Sequence, residues 1–319
     1  MNNPAIAALI PVVLFIGIGY LIARRGLVGA GAVSDLANVV FLVLSPALLF
    51  RTMSTVHVED LDFHAVAIYF AAAALVFTAT LALYRFGRRA AVLGLASTFS
   101  NTVMIGVPLV GLAYGSAGLV TLFTLVSVHS LLLLTATTIA LELALAREDA
   151  QAGHQAAPRR LWRMALGAVR NSIVHPVPLP VIAGLLFAQT GLVLPRALDQ
   201  SLQMLGAALG PMSLLLVGIT LAFNPVGRHL RGALGVALVK NLAMPATVAL
   251  LGWALGLGGL PLAVMVVTAA LPVGANAFLY AQRYRTAEET VTASVAVSTL
   301  LGLVSIPLVL LLVSPWAGR

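Results

Sequence analysis

The polar residues of this chain that could bind a ligand lie inside segments that are otherwise almost entirely apolar. One such segment reads SNTVMIGVP and places Asn101 and Thr102 just ahead of Gly106 and Pro108. Amide and hydroxyl groups donate hydrogen bonds, whereas glycine and proline interrupt a helix and leave backbone N–H groups free. Because free N–H groups at the start of a helix bind anions, this pattern predicts a site for a small anion.

A second segment, VTAALPVGANAFLYAQRY, repeats the pattern with Pro272, Gly274 and Asn276. Gly106 and Pro108 are predicted to break the first helix near its middle. Pro272 and Gly274 are predicted to break the second. Unpaired backbone groups cannot face lipid, so each break must be buried in protein or line a wet cavity. A simple proline kink in each helix is the alternative, but the matched pair with asparagines beside it favours a binding site.

Lys240 is the only lysine of the chain and lies near the middle of another apolar segment. It is roughly 15 Å along a helix from the nearer polar end. An ionisable group at that depth costs about 2.5–3.5 kcal/mol, so we predict that it pairs with a bound ligand, a carboxylate or the carbonyls of a broken helix. It could also exchange a proton. A lysine that reaches the membrane surface is the alternative, but from mid-segment its stem is too short.

Four further ionisable residues lie in or beside apolar segments. His129 is a candidate for the site, although a lone histidine among Val, Ser and Leu is more often a hydrogen-bonded packing residue. Glu142 is interpreted as a carboxylate at the membrane interface, with ion coupling as the alternative. Arg51 is interpreted as an interface anchor, and Asp35 as a helix-start residue favoured by the helix dipole.

The composition places these residues in a membrane protein. Of the 319 residues, 61% are hydrophobic and 9% are charged, and the mean hydropathy is +1.05. The predicted fold class is therefore an all-α polytopic protein embedded in a lipid bilayer. The absence of cysteine excludes disulfides and thiolate metal sites. Ten spans are predicted, at residues 5–23, 34–53, 64–84, 91–112, 119–146, 173–192, 200–222, 232–256, 260–281 and 290–313.

The arginines predict how these spans are oriented, because basic residues accumulate in cytoplasmic loops. With the N-terminus outside, fourteen of the seventeen arginines fall in loops on the cytoplasmic side. The three on the outer side are Arg51, Arg196 and Arg319. The formal net charge of +8 is thus a topology signal, and no nucleic-acid partner is expected. We expect a bacterial inner-membrane protein with both termini on the outer side.

The ten spans divide into two halves joined by the polar loop Arg147–Arg170. Because five is an odd number, two five-span units joined in this way lie in opposite orientations. Pro46 and Pro108 are 62 residues apart in the first half, and Pro211 and Pro272 are 61 apart in the second. We therefore predict two inverted repeats, at 1–146 and 173–319, with a cytoplasmic basic linker at 147–172.

The order Asn-Thr-x-x-x-Gly-x-Pro-Leu, from Asn101 to Leu109, resembles the fourth-span signature of the auxin efflux carrier family. ALPVGANAFLYAQRY is similar to the ninth-span motif of the same family. This resemblance implies that spans 4 and 9 are broken helices that cross each other. It implies a scaffold of spans 1, 2, 6 and 7, a transport domain of spans 3–5 and 8–10, and a homodimer through the scaffold. It also implies that Asn101 contacts a substrate carboxylate.

These observations predict a secondary transporter of a small organic anion (a carboxylate, auxin-like or dicarboxylate) that works by elevator-type alternating access. A membrane sensor for such a ligand is one alternative, and a Na⁺- or H⁺-coupled symporter of the related bile-acid-transporter-like fold is another. An enzyme is not expected, because HExxH, GxSxG and GxxxxGK[ST] sequences are absent. No cofactor or metal is expected. Substrate identity and any coupling ion, H⁺ or Na⁺, stay open at this point.

We predict that a cysteine introduced at Gly153 reacts only with membrane-permeant maleimides, because the Arg147–Arg170 loop lies in the cytoplasm. The unmodified protein is the background control, since it has no cysteine. Labelling of intact cells by an impermeant reagent would contradict the topology and, with it, the orientation of both repeats.

Overall fold

A computed structural model describes residues 4–57, 59, 61–151, 177–223 and 229–317. This part of the chain is helical, and its only strand-like feature is one isolated bridge. The helices are α1 Pro4–Arg24, α2 Ala32–Met53, α3 Phe63–Leu83, α4 Arg88–Thr98, α5 Val107–Gln151, α6 Pro178–Gln189, α7 Arg196–Phe223, α8 Leu230–Ala254, α9 Gly259–Ala270, α10 Ala275–Arg283 and α11 Glu288–Ala317.

Helices cover each of the ten segments predicted from hydropathy, which confirms the all-helical class for the described residues. Six of these helices are long and apolar enough to cross a bilayer. They are Ala32–Met53, Phe63–Leu83, Thr102–Glu148, Arg196–Phe223, Leu230–Ala254 and Glu288–Trp316. The first residues of the sixth predicted span, 173–176, and most of the predicted linker, 152–172, lie outside the described residues.

The break in the fourth span lies earlier than predicted. The helix α4 ends at Thr98, and helical structure resumes at Thr102 with a π turn that leads into α5. Gly106 is the last residue of that turn and Pro108 is the second residue of α5, so the prediction that they break the helix is wrong. Pro108 lies within a continuous helical run that begins at Thr102, because the wider π turn ahead of it leaves room for its ring and its missing N–H.

The connection between the predicted fourth and fifth spans is a single residue. Gly115, with φ 64° and ψ −153°, is the one non-helical position inside α5. This conformation is accessible to glycine at little cost and is strained for other residues. In place of the loop predicted at 113–118, the structure has a bend at Gly115, and helix continues directly on both sides of it.

The described residues contain three π turns, and each of them ends two residues before a proline. They are Val40–Leu44 before Pro46, Thr102–Gly106 before Pro108, and Val239–Ala243 before Pro245. Proline removes one backbone donor and crowds the preceding turn, and a wider π turn accommodates both effects without ending the helix.

The helix α1 packs along α7 at very short range, because glycines lie at the contact. A Cβ atom added to Gly19 would overlap the carbonyl oxygen of Leu215. One added to Gly218 would overlap the carbonyl oxygen of Ile16. In a bilayer, where lipid removes the hydrophobic drive for helix association, such close backbone contact is a main source of stability.

Arg51 has a specific partner that the sequence analysis did not find. At the end of α2, its Nε donates to Asp199 Oδ1 over 2.7 Å and its terminal nitrogen donates to Oδ2 over 3.2 Å. Asp199 lies in the first turn of α7. This two-point ion pair is partly exposed, so it contributes orientation between α2 and α7 more than stability.

Gly19→Ala should destabilise the protein by about 1–3 kcal/mol, because the added methyl group forces α1 and α7 apart. Gly17→Ala on the same helix is the matched control, since nothing lies within 4 Å of that position. Thermal unfolding of both purified variants in one detergent measures the difference. Equal melting temperatures would contradict the close packing.

Candidate functional site

The two breaks meet each other. Ser100, between α4 and the π turn that precedes α5, lies opposite Val273, between α9 and α10, in an antiparallel bridge. The Asn101 N–H donates to the Pro272 carbonyl over 2.9 Å, and the Gly274 N–H donates to the Phe99 carbonyl over 2.9 Å. These two bonds satisfy backbone groups that a break would otherwise leave unpaired in the apolar interior.

Gly274 is required by the closeness of this approach. A Cβ atom there would lie 2.7 Å from Cδ1 of Phe99 and 3.0 Å from the carbonyl oxygen of Ser100. Side chains from two other helices form hydrogen bonds to the bridged residues Ser100 and Val273. The Tyr69 hydroxyl of α3 lies 3.0 Å from Ser100 Oγ, and Ser298 Oγ of α11 accepts from the Val273 N–H over 3.0 Å.

The paired segments 99–101 and 272–274 are called the crossing below. Two helix starts with free backbone donors follow it, one after each segment. The N–H groups of Val103, Ala275 and Asn276 donate to no acceptor among the described residues. Asn101 caps the first helix start, because its Oδ1 accepts from the Met104 N–H over 3.3 Å. The Asn101 amide nitrogen has no hydrogen-bond acceptor within the described part of the chain, so it is available to a ligand.

A cavity of about 280 Å³ lies against both helix starts. Its wall includes all three residues with free N–H groups and four of the predicted site residues, namely Asn101, Thr102, Gly274 and Asn276. Asn38 of α2, Ser100 and Ser130 of α5 add polar groups that the sequence analysis missed. No local pattern marks Asn38 or Ser130, because only the folded chain brings them to the crossing.

A second cavity, of about 180 Å³, adjoins the first and is mostly apolar. Phe41, Asn101, Met104 and Ala275 line both cavities. The other residues of the second cavity are Val33, Ala37, Leu216, Val217, Thr220, Leu221, Val295, Ala296 and Thr299. Among the described residues that line the two cavities, none carries a charge.

Lys240 binds the end of a broken helix. Its ammonium donates to the carbonyl of Ala269 over 2.5 Å and to that of Leu271 over 2.7 Å, and the side chain is fully buried. These carbonyls belong to the C-terminal end of α9, which carries the negative pole of the helix dipole. Pairing with half-helix carbonyls was one of the three predicted roles, and it is the one for which the structure shows contacts. Direct contact with a ligand stays a prediction, since Lys240 lines neither cavity.

Next to Lys240, Asn241 ties α8 to α11. Its amide nitrogen donates to the Ser298 carbonyl over 2.9 Å and to Ser305 Oγ over 3.3 Å, and the side chain is fully buried. Ser298 in turn accepts from the backbone of the crossing. Lys240 and Asn241 therefore hold α9 and α11 from two adjacent positions, within the π turn of α8.

His129 lies behind the crossing rather than in a cavity. Its ring is buried, with its centroid 4.5 Å from that of Phe99 and 6.0 Å from that of Tyr69. Its Nε2 has no hydrogen-bond partner among the described residues. These contacts are those of a packing residue that supports Phe99, and a direct role in transport stays a prediction.

Gly106 and Pro108 also pack against the site from outside the cavities. A Cβ atom on Gly106 would lie 2.8 Å from Cδ1 of Leu271, so this glycine sits directly against the other broken helix. Pro108 lies against Gly210 of α7. Of the nine predicted site residues, four line the larger cavity and Pro272 forms part of the crossing itself.

Two broken helices that pair with each other at their breaks, with unpaired helix starts and a cavity beside them, are typical of membrane transporters. The chain belongs to the membrane transport protein family, the auxin efflux carrier family, whose family model described as "Membrane transport protein" matches residues 4–310. It is a multi-pass membrane protein. A protein of Rhizobium meliloti (strain 1021) named "Putative malonate transporter" is 28% identical over 297 residues, which cover 91% of this chain and 89% of that protein.

Lys240→Met should lower both apo stability and transport, because two buried carbonyls lose their donor. Each unpaired group costs about 1–3 kcal/mol. Lys240→Gln, which keeps an N–H donor without the charge, should fall between Met and the wild type. Thermal unfolding and uptake into liposomes measure the two effects. A Met variant with wild-type stability would show that α9 does not depend on this contact.

Proposed function

We propose that this protein is a secondary transporter of a small organic anion and that the substrate carboxylate binds at the crossing of the two broken helices. One observation carries the proposal: Asn101 and the three residues with unpaired backbone N–H groups line one cavity. Membership of a membrane transport family supports the same function. The malonate named for the relative is an organic anion of the proposed kind.

The proposed anion site consists of neutral donors. Each helix start contributes the equivalent of about half a positive charge, and two such starts adjoin this cavity. Because these donors are fixed by the backbone, they bind a carboxylate without a mobile cationic side chain. Binding and release need no covalent step, so we propose no catalytic activity.

We further propose the ten-span inverted repeat, with α1, α2, α6 and α7 as scaffold and α3–α5 and α8–α11 as transport domain. The packing pattern supports this division. Within the scaffold, α1 packs on α7, and α2 packs on both α6 and α7. Within the transport group, α3 packs on α4 and α8, and α11 packs on α8 and α9. An elevator-type movement of the second group against the first would then carry the crossing with its bound anion.

On the proposed topology, the two cavities open toward the cytoplasm. The smaller cavity is lined by the start of α2, the end of α7 and the first half of α11, and the larger one by the start of α2 and by α10. On this topology, all of these segments lie on the cytoplasmic side. The described conformation is therefore proposed to be inward-open, with both termini outside and the protein in a bacterial inner membrane. A homodimer through the scaffold is proposed from the family resemblance, and coupling to H⁺ or Na⁺ is a separate alternative.

Asn101→Asp should weaken carboxylate binding roughly ten- to a hundredfold, because it removes the amide donor and adds a negative charge. It keeps an oxygen for the Met104 N–H, so apo stability should stay near that of the wild type. Asn101→Ala should lose the same affinity and, in addition, about 1 kcal/mol of stability with the cap.

Asn276→Ala is the comparison variant, and we expect a smaller loss because the backbone N–H of that residue remains. Calorimetry on the purified variants, with malonate and with butyrate as probes, measures the affinities. An Asn101→Asp variant with wild-type affinity for both probes would place the anion site away from the crossing.

A further inference from the structure

The two cavities at the crossing differ in chemistry on either side of a shared wall. All three residues with free N–H groups line the larger one, and two of them, Val103 and Asn276, line it alone. The side chains of Asn38, Thr102 and Ser130 also belong to the larger cavity only. In the smaller one, the polar side chains are Asn101, Thr220 and Thr299. The Thr299 hydroxyl already donates to the Val295 carbonyl over 2.7 Å. The donors suited to a carboxylate are therefore concentrated on one side of Asn101.

We infer that the two cavities are compartments of one binding site that selects a monocarboxylate with an apolar body over a dicarboxylate. This inference rests on the proposed function and specifies its substrate class. The carboxylate lies in the larger compartment against the two helix starts. The apolar body passes Asn101 and Met104 and lies in the smaller compartment, between α7 and α11.

A second carboxylate has no suitable position in this site. In the smaller compartment it would be an unpaired charge among Leu, Val and Ala side chains, which is strongly unfavourable. In the larger compartment, the second carboxylate would compete with the first for the same hydrogen-bond donors. None of the described side chains that line this compartment carries a positive charge to offset the second negative charge. Two like charges in such a place oppose each other's ionised form.

The smaller compartment also predicts how affinity depends on chain length. Burial of one methylene raises affinity about fourfold, until the available volume is filled. Because the compartment has a volume of about 180 Å³, this gain ends once the substrate body fills it. A short acid such as acetate uses only the larger compartment and binds weakly.

The first test compares ligands of equal size on the wild-type protein. Isovalerate and malonate have the same number of non-hydrogen atoms and differ in that an isopropyl group replaces one carboxylate. We expect isovalerate to bind at least tenfold tighter by calorimetry. The series acetate, butyrate and hexanoate should gain affinity with length.

The second test fills the smaller compartment. Val295→Phe adds a ring to its wall, whereas Val304→Phe adds the same ring to a position on α11 that is 61% exposed. We expect Val295→Phe to weaken hexanoate binding at least tenfold and acetate binding by a much smaller factor, and Val304→Phe to change neither. Ala37→Val is a smaller filling change in the same wall, for use if the phenylalanine variant does not fold.

The outcomes separate this inference from the proposed function. Binding of malonate as tight as or tighter than isovalerate, or equal losses for acetate and hexanoate in Val295→Phe, would overturn the two-compartment site while leaving anion transport in place. If no carboxylate binds the wild-type protein, both the inference and the proposed function fail.

Discussion

Two backbone hydrogen bonds hold the centre of this protein together. A helix that breaks inside an apolar interior leaves polar backbone groups that neither lipid nor side chains can satisfy, and each such group is costly. Here the two broken helices solve the problem for each other, because the Asn101 N–H and the Phe99 carbonyl pair with the Pro272 carbonyl and the Gly274 N–H. Neither break is satisfied alone, so the two halves of the chain depend on one another at this point.

Each break exposes two helix poles of opposite sign, and the protein treats them differently. The C-terminal end of α4 is followed by residues whose carbonyls pair within the crossing, whereas that of α9 binds the ammonium of Lys240. The N-terminal ends keep three N–H groups without an acceptor among the described residues and adjoin a cavity. A cation built into the chain thus compensates the negative pole of α9, and the positive poles remain for an anion from outside.

The sequence marked residues of the larger cavity best where the signal is local. Asparagines within a few residues of a glycine and a proline drew attention to Asn101, Gly274 and Asn276, which all line the larger cavity. The predicted position of the first break was wrong. The prediction relied on Pro108 as the strongest helix breaker in the segment, but a π turn accommodates this proline within the helix. The actual break follows from pairing with residues more than 170 positions away, and no local pattern encodes that pairing. Asn38 and Ser130 could not be predicted for the same reason.

The π turn of α8 has a consequence for how its sequence should be compared with others. One extra residue in a helical turn rotates everything after it by about 100°. Before the turn, Ala233 and Ala237 face α11, and after it the helix packs on α3 and α9. The buried apolar positions after the π turn are therefore offset by one residue from the spacing that the positions before it would predict. An alignment of α8 with another helix keeps its meaning only when each half is placed separately, with a one-residue step between them.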